Sequence, residues 1–157
     1  MTAPPAFAKS TICWLEIDGR DWPAWYVAVG DTAYIVSGAG EQELPDLPAT
    51  LPITLRVRTA LQYAGKFEAT ADRLRQGDEA WDEAVGALRP ARLNSTGDDQ
   101  VGRWVGDGVV WAVRPDFEHL LPFERNAPSG AREPTPTPAT TRVPIPRHLG
   151  GRRRHAG

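Results

Sequence analysis

The strongest constraint on this chain lies in residues 11–47, where three β-rich runs follow one another with only tight turns between them. Residues 11–17 lead into Asp18-Gly19-Arg20-Asp21, residues 25–29 into Gly30-Asp31, and residues 32–37 into the loop Gly38-Ala39-Gly40. Asp-Gly and Gly-Asp pairs accept the positive φ of two-residue hairpins at little cost, so the pattern predicts an antiparallel meander. The glycine loop ends its third strand where backbone N–H groups could hold a small anion.

The period-2 pattern resumes after a proline-rich crossing at residues 41–52, whose three prolines forbid a long helix. Residues 53–58 put Ile53, Leu55 and Val57 on one face and Thr54, Arg56 and Arg58 on the other; residues 65–73 alternate again around Phe67, Ala69 and Ala71. Then the period changes. From Asp78 to Leu88, Trp81, Ala84, Val85 and Leu88 fall at i, i+3, i+4 and i+7, one amphipathic helix that Pro90 should stop. Residues 101–105 and 108–114, around an Asp107-Gly108 turn, read as closing strands. Trp14, Trp25, Trp104 and Trp111 fall in strand patterns, and Trp22, beside Pro23, reads as a turn residue. The expectation is a mainly β (α+β) fold, an antiparallel barrel of six to seven strands with one helix, closed or nearly so.

Charge divides the chain. Residues 126–157 carry six arginines and one glutamate, net +5; the rest carries twelve bases and nineteen acids, net −7, which together give the overall −2. The segment 126–157 is rich in proline and poor in large apolar residues, so it reads as a disordered basic tail, with 1–9 as a flexible N-terminus and 10–122 as the barrel domain. An acidic body argues against nucleic acid as main partner, leaving weak contact through the tail arginines. No 18-residue apolar run and no signal-peptide pattern occur, so the expectation is a cytoplasmic protein with no membrane partner. The lone Cys13 sits in a strand pattern, and His119 stands apart from any nucleophile. Neither metal binding nor nucleophilic catalysis is indicated.

The Asp18-Gly19-Arg20 turn before Trp22-Pro23-Ala24-Trp25, the hairpin at residues 30–36, the Gly38-Ala39-Gly40 loop leading to Leu44 and Leu47, and the helix ending in Ala91-Arg92-Leu93-Asn94 carry a resemblance. Over residues 10–114 the order of parts resembles the flavin-binding split β-barrel family, the pyridoxamine 5′-phosphate oxidase-like and deazaflavin-dependent reductases, especially its short actinobacterial members. The resemblance implies a homodimer with FMN or a deazaflavin coenzyme in a groove between barrels. By position it assigns cofactor contacts to Tyr34, Ser37, Gly38 and Gly40, with Arg56 and Arg58 from the fourth strand.

One stretch departs from the family pattern. Where a basic residue usually follows the third strand, this chain reads Glu41-Gln42-Glu43. A carboxylate about 4 Å from a phosphate charge repels it by about 4 kcal/mol at an effective dielectric near 20. With the missing charge-assisted contacts, binding should weaken by roughly 10²- to 10⁴-fold. Three classes follow: a flavin- or deazaflavin-dependent oxidoreductase acting on a small molecule, a split-barrel module that binds another small ligand, and a dimeric interaction protein with a degenerate cofactor site. No side chain stands out as the catalytic acid or base of the first.

Overall fold

The computed structural model describes residues 3–57, 62–92 and 99–122, all within one compact unit, Met1–Phe123. Arg58 and the tail at 126–157 lie outside the described residues. In chain order the elements are α1 (Pro5–Lys9), β1 (Ile12–Ile17), β2 (Arg20–Trp25), β3 (Val27–Val29), β4 (Thr32–Gly38), β5 (Thr50–Val57), β6 (Gln62–Leu74), α2 (Trp81–Ala91), α3 (Gln100–Gly106) and β7 (Gly108–Leu120). The strands form one antiparallel seven-stranded sheet in the order β2-β1-β5-β6-β7-β4-β3. This is the α+β split barrel that the strand pattern predicts.

Its hairpins use the residues expected of them. Asp18 and Gly19 both take positive φ, 52° and 72°, and Ile17 pairs directly with Arg20, the two-residue turn that matches strand twist. The turn is shorter than residues 18–21, because Arg20 and Asp21 already belong to β2. Trp22 is therefore a strand residue, paired with Leu15, and the Arg20 guanidinium stacks 4.8 Å above its ring.

The sheet's two edge strands, β2 and β3, are consecutive in the chain, separated only by Tyr26. One bent segment thus pairs with β1 along its first half and with β4 along its second, and covalent continuity brings the two edges of the sheet together. Tyr26 fixes the bend: it is buried, its N–H donates to the Thr11 carbonyl at 3.0 Å, and its hydroxyl donates to the Phe7 carbonyl at 2.8 Å. Phe7 itself lies in α1, within the stretch read as a flexible terminus, and is fully buried with its ring 5.4 Å from that of Tyr26.

Two cores flank the sheet. Leu15, Ile35, Ile53, Leu55 and Val113 fill the concave side, while Tyr34, Val36, Val110 and Ala112 face α2 and α3 on the other. Strand β4 is covered on both faces, which is why residues 33–36 are continuously apolar rather than alternating.

The helices bring the largest revision. Residues 101–105, read as a strand, belong to α3, and Trp104 is a helix residue, 1% exposed. Gln100 and Trp104, four apart and so about one turn from each other, are the two buried residues of this helix. So there are three helices among the described residues, and β7 alone follows them. Helix α2 begins at Trp81 and includes Pro90 in its last turn instead of stopping before it. Among the described residues no helix is long and apolar enough to cross a membrane, and no cluster of three metal-ligating side chains occurs.

Candidate functional site

The loop after β4 takes an unusual backbone. Gly38, Ala39 and Gly40 have φ of 71°, 53° and 83°, three left-handed residues in succession, one of them carrying a side chain. Glycine is required at 38 on a second count, since a Cβ there would lie 2.9 Å from the Asp107 carbonyl oxygen. The loop closes on itself: the Gly38 N–H donates to the Gln42 carbonyl at 3.0 Å and the Glu41 N–H to the Gly38 carbonyl at 2.8 Å. Two of the amides that would face an anion are therefore already engaged.

The Glu41 carboxylate does not stand over this loop as an electrostatic barrier. It turns inward, its side chain 6% exposed, and pairs with Arg92 Nη2 at 2.6 Å. Glu41 Oε1 also accepts from Trp104 Nε1 at 3.1 Å and from Gln100 Nε2 at 3.4 Å. One glutamate thus ties the loop to the end of α2 and to α3, and the repulsion expected from it is cancelled locally by a guanidinium. Arg92 in turn lies over the Trp25 ring, 5.7 Å from Cζ to centroid. Glu43 is exposed.

The residues assigned to a cofactor by resemblance fall into two groups. Tyr34, Ser37, Gly38 and Gly40 share β4 and its loop, but Tyr34 and Ser37 are only 2% and 4% exposed. Arg56 belongs to β5, and β6 and β7 lie between that strand and β4. Three strand spacings of about 4.8 Å put it on the order of 14 Å away across the sheet. The basic side chain nearest the glycine loop in the chain's own contacts is that of Arg92, which is paired with Glu41.

Two clefts open on the helix-bearing side of the sheet. The first, about 440 Å³, is lined by Thr32 and Tyr34 of β4, Arg114 of β7, and Glu79, Ala80 and Glu83. Here Tyr34 donates its hydroxyl to Glu83 Oε1 at 2.5 Å. Burial, then the bond to Glu83, push the phenol pKa up to about 12, so at neutral pH Tyr34 is a donor and not a base. Arg114 reaches Asp72 at 2.6 Å. The second cleft, about 290 Å³, lies where β6 leaves the sheet, between α2 and α3, with Arg73, Arg75 and Gln76 over Leu74, Trp81 and Trp104.

The sequence does not single out Gln42, Glu83, Arg73 or Arg75 as site residues, and Arg92 enters it only within the helix-ending stretch 91–94 that carries the resemblance. Arg73 and Arg75 do carry a visible signal, two bases at a strand end directly before an acidic helix start. Glu41 and Arg92 are fifty-one positions apart and carry none.

No protein-family model matches the chain, and no curated protein matches it. Among solved structures, it is similar to a proposed pyridoxamine 5′-phosphate oxidase from Listeria innocua, at 14% identity and TM-score 0.48 over 71% of this chain and 88% of that one. It is also similar to the flavocytochrome Anf3 from Azotobacter vinelandii, at 14% identity and TM-score 0.35 over 89% of this chain and 83% of that one. These are distant likenesses of shape, and the fold assignment above stands on the strand order and register.

Proposed function

We propose that this chain is a flavin- or deazaflavin-dependent oxidoreductase-like protein that acts on a small molecule and completes its cofactor groove as a homodimer. The reading is supported by the split barrel, by the hairpins and glycine loop that resemble the family, and above all by the inward-turned Glu41. With its carboxylate held by Arg92, the main electrostatic objection to an anionic cofactor beside residues 38–40 is reduced to the exposed Glu43. The cofactor would supply the redox chemistry, and the protein would bind and orient.

Titration of the full chain with FMN and with a deazaflavin coenzyme tests it, read by tryptophan fluorescence and by the visible spectrum of the bound cofactor. Saturable quenching with one of the two is expected, together with a dimer by sedimentation. Silence with both at millimolar cofactor would reject the enzyme reading. A second reading is favoured by a specific observation: the Gly38 and Glu41 amides are bonded within the loop and the Tyr34 hydroxyl to Glu83. That is what a split-barrel module with a degenerate cofactor site, binding another ligand or a protein, would show.

A further inference from the structure

We infer that the cleft between the end of β6, α2 and α3 binds a small anion that carries a single flat ring, an aryl phosphate or aryl carboxylate. This goes beyond the cofactor reading and uses none of its residues.

Charge comes first. Among the described residues neither Arg73 nor Arg75 has a carboxylate within ion-pair distance, whereas Arg92 is held by Glu41 and Arg114 by Asp72. Both unpaired arginines line the same cleft and are exposed. The neighbouring acid, Asp78, is engaged by the backbone, its Oδ2 accepting the Arg75 N–H at 2.6 Å. Two guanidiniums without an ion-pair partner among the described residues thus share one cleft, with the Asp78 carboxylate turned to the backbone beside them. Planar guanidinium forks match the oxygens of a carboxylate or phosphate in pairs.

The rest of the wall is apolar. Leu74, Trp81 and Trp104 lie beneath the cleft as a buried floor, 8%, 5% and 1% exposed, and Val105, 43% exposed, stands at the rim as the accessible apolar side chain. A ring would lie across the mouth against Val105, over the edges of the floor, with the Gln76 amide available to a polar substituent. Size then selects among ring systems. At about 290 Å³ the cleft sits just under the range of roughly 300–1,000 Å³ typical for drug-sized ligands, which favours one ring over the three of a flavin.

Titration of the full chain with phenyl phosphate, followed by the indole N–H resonances of its tryptophans, tests this. Saturable shifts of the Trp81 and Trp104 signals, assigned through W81F and W104F, are expected, with benzyl alcohol and inorganic phosphate each binding more weakly. The double variant R73A/R75A should lose about tenfold or more in affinity, since each arginine supplies a charge-assisted contact. Both side chains are exposed, so its thermal midpoint should match the parent; R73Q/R75Q gives the same comparison should it not. Absence of saturable shifts at millimolar phenyl phosphate, or unchanged affinity in both double variants, overturns the inference. FMN binding, measured separately, does not decide it either way.

Discussion

At the residue scale, Gln42 supplies what the bent segment of the barrel lacks. Where the chain leaves β1 at Trp25 to join β4, the ladder has no strand partner to offer. The Gln42 side chain takes that place: its Oε1 accepts the Trp25 N–H at 2.7 Å, and its Nε2 donates to the Trp25 carbonyl at 2.8 Å and the Val36 carbonyl at 3.0 Å. One amide satisfies three backbone groups across the split, and only an amide presents donor and acceptor together in this geometry. Gln42→Ala is expected to cost about 1–3 kcal/mol, the range for backbone groups left unsatisfied in a part-buried setting. Gln42→Glu keeps the bond to Trp25 N–H but turns a carboxylate toward two carbonyl oxygens, so it should be at least as destabilising. Urea unfolding of the three proteins measures this; a Gln42→Ala change under about 0.5 kcal/mol, the level of an ordinary surface substitution, would mean that water replaces the amide.

At the scale of elements, α2 is fastened at both ends by side chains, not by caps. Near its start Glu83 accepts from Tyr34, and just past its end Arg92 meets Glu41. Arg92→Ala leaves a carboxylate that is 6% exposed without its cation. The loss should be about 2–3 kcal/mol, below the roughly 3–5 kcal/mol of a fully buried pair because the guanidinium is partly solvated, and thermal unfolding reads it. The Tyr34 bond makes a pH prediction with a definite sign. Its folded pKa, about 12, lies above the ordinary value of 10.0. Its contribution is therefore complete below about pH 10 and is lost as pH rises through that window. Tyr34→Phe should flatten that alkaline loss, measured by unfolding between pH 9 and 12; an unchanged slope would assign the loss to other groups. The helix stripe of Trp81, Ala84 and Leu88 is legible in the sequence because burial and periodicity coincide. Helix α3 is not. Residues 100–106 are too short a run to show a helical period, and Gln100 and Trp104 would share a face in a strand as in a helix; both bond Glu41, fifty-nine and sixty-three positions away. Long-range polar contacts of this kind leave no local mark, so the strands could be read and the Glu41 cluster could not.

At the scale of the whole molecule, the sheet protects its own edges. Each open sheet has two strands whose outer backbone groups invite pairing with other chains. Here those two strands are halves of one bent segment, anchored by Tyr26 to α1 and by Gln42 to β4. This closure is legible only in part: tight turns and period-2 alternation together mark six of the seven strands, but β2 hides behind Trp22-Pro23, which reads as a turn until its register with β1 is known. Among the described residues both cores are built from residues up to Phe117, and residues 126–157 carry a net charge of +5. A chain shortened to end at Phe123 should therefore keep one cooperative thermal transition. Its midpoint should move by less than about 4–8 °C, the shift that corresponds to roughly 1 kcal/mol in a domain of 60–100 residues. Loss of the single transition would show that the basic segment contributes to the fold. An unchanged midpoint in low salt as well as high would show further that the +5 segment and the −7 body do not stabilise each other, because an exposed electrostatic contact weakens as the Debye length falls from about 30 Å at 0.01 M salt to about 3 Å at 1 M.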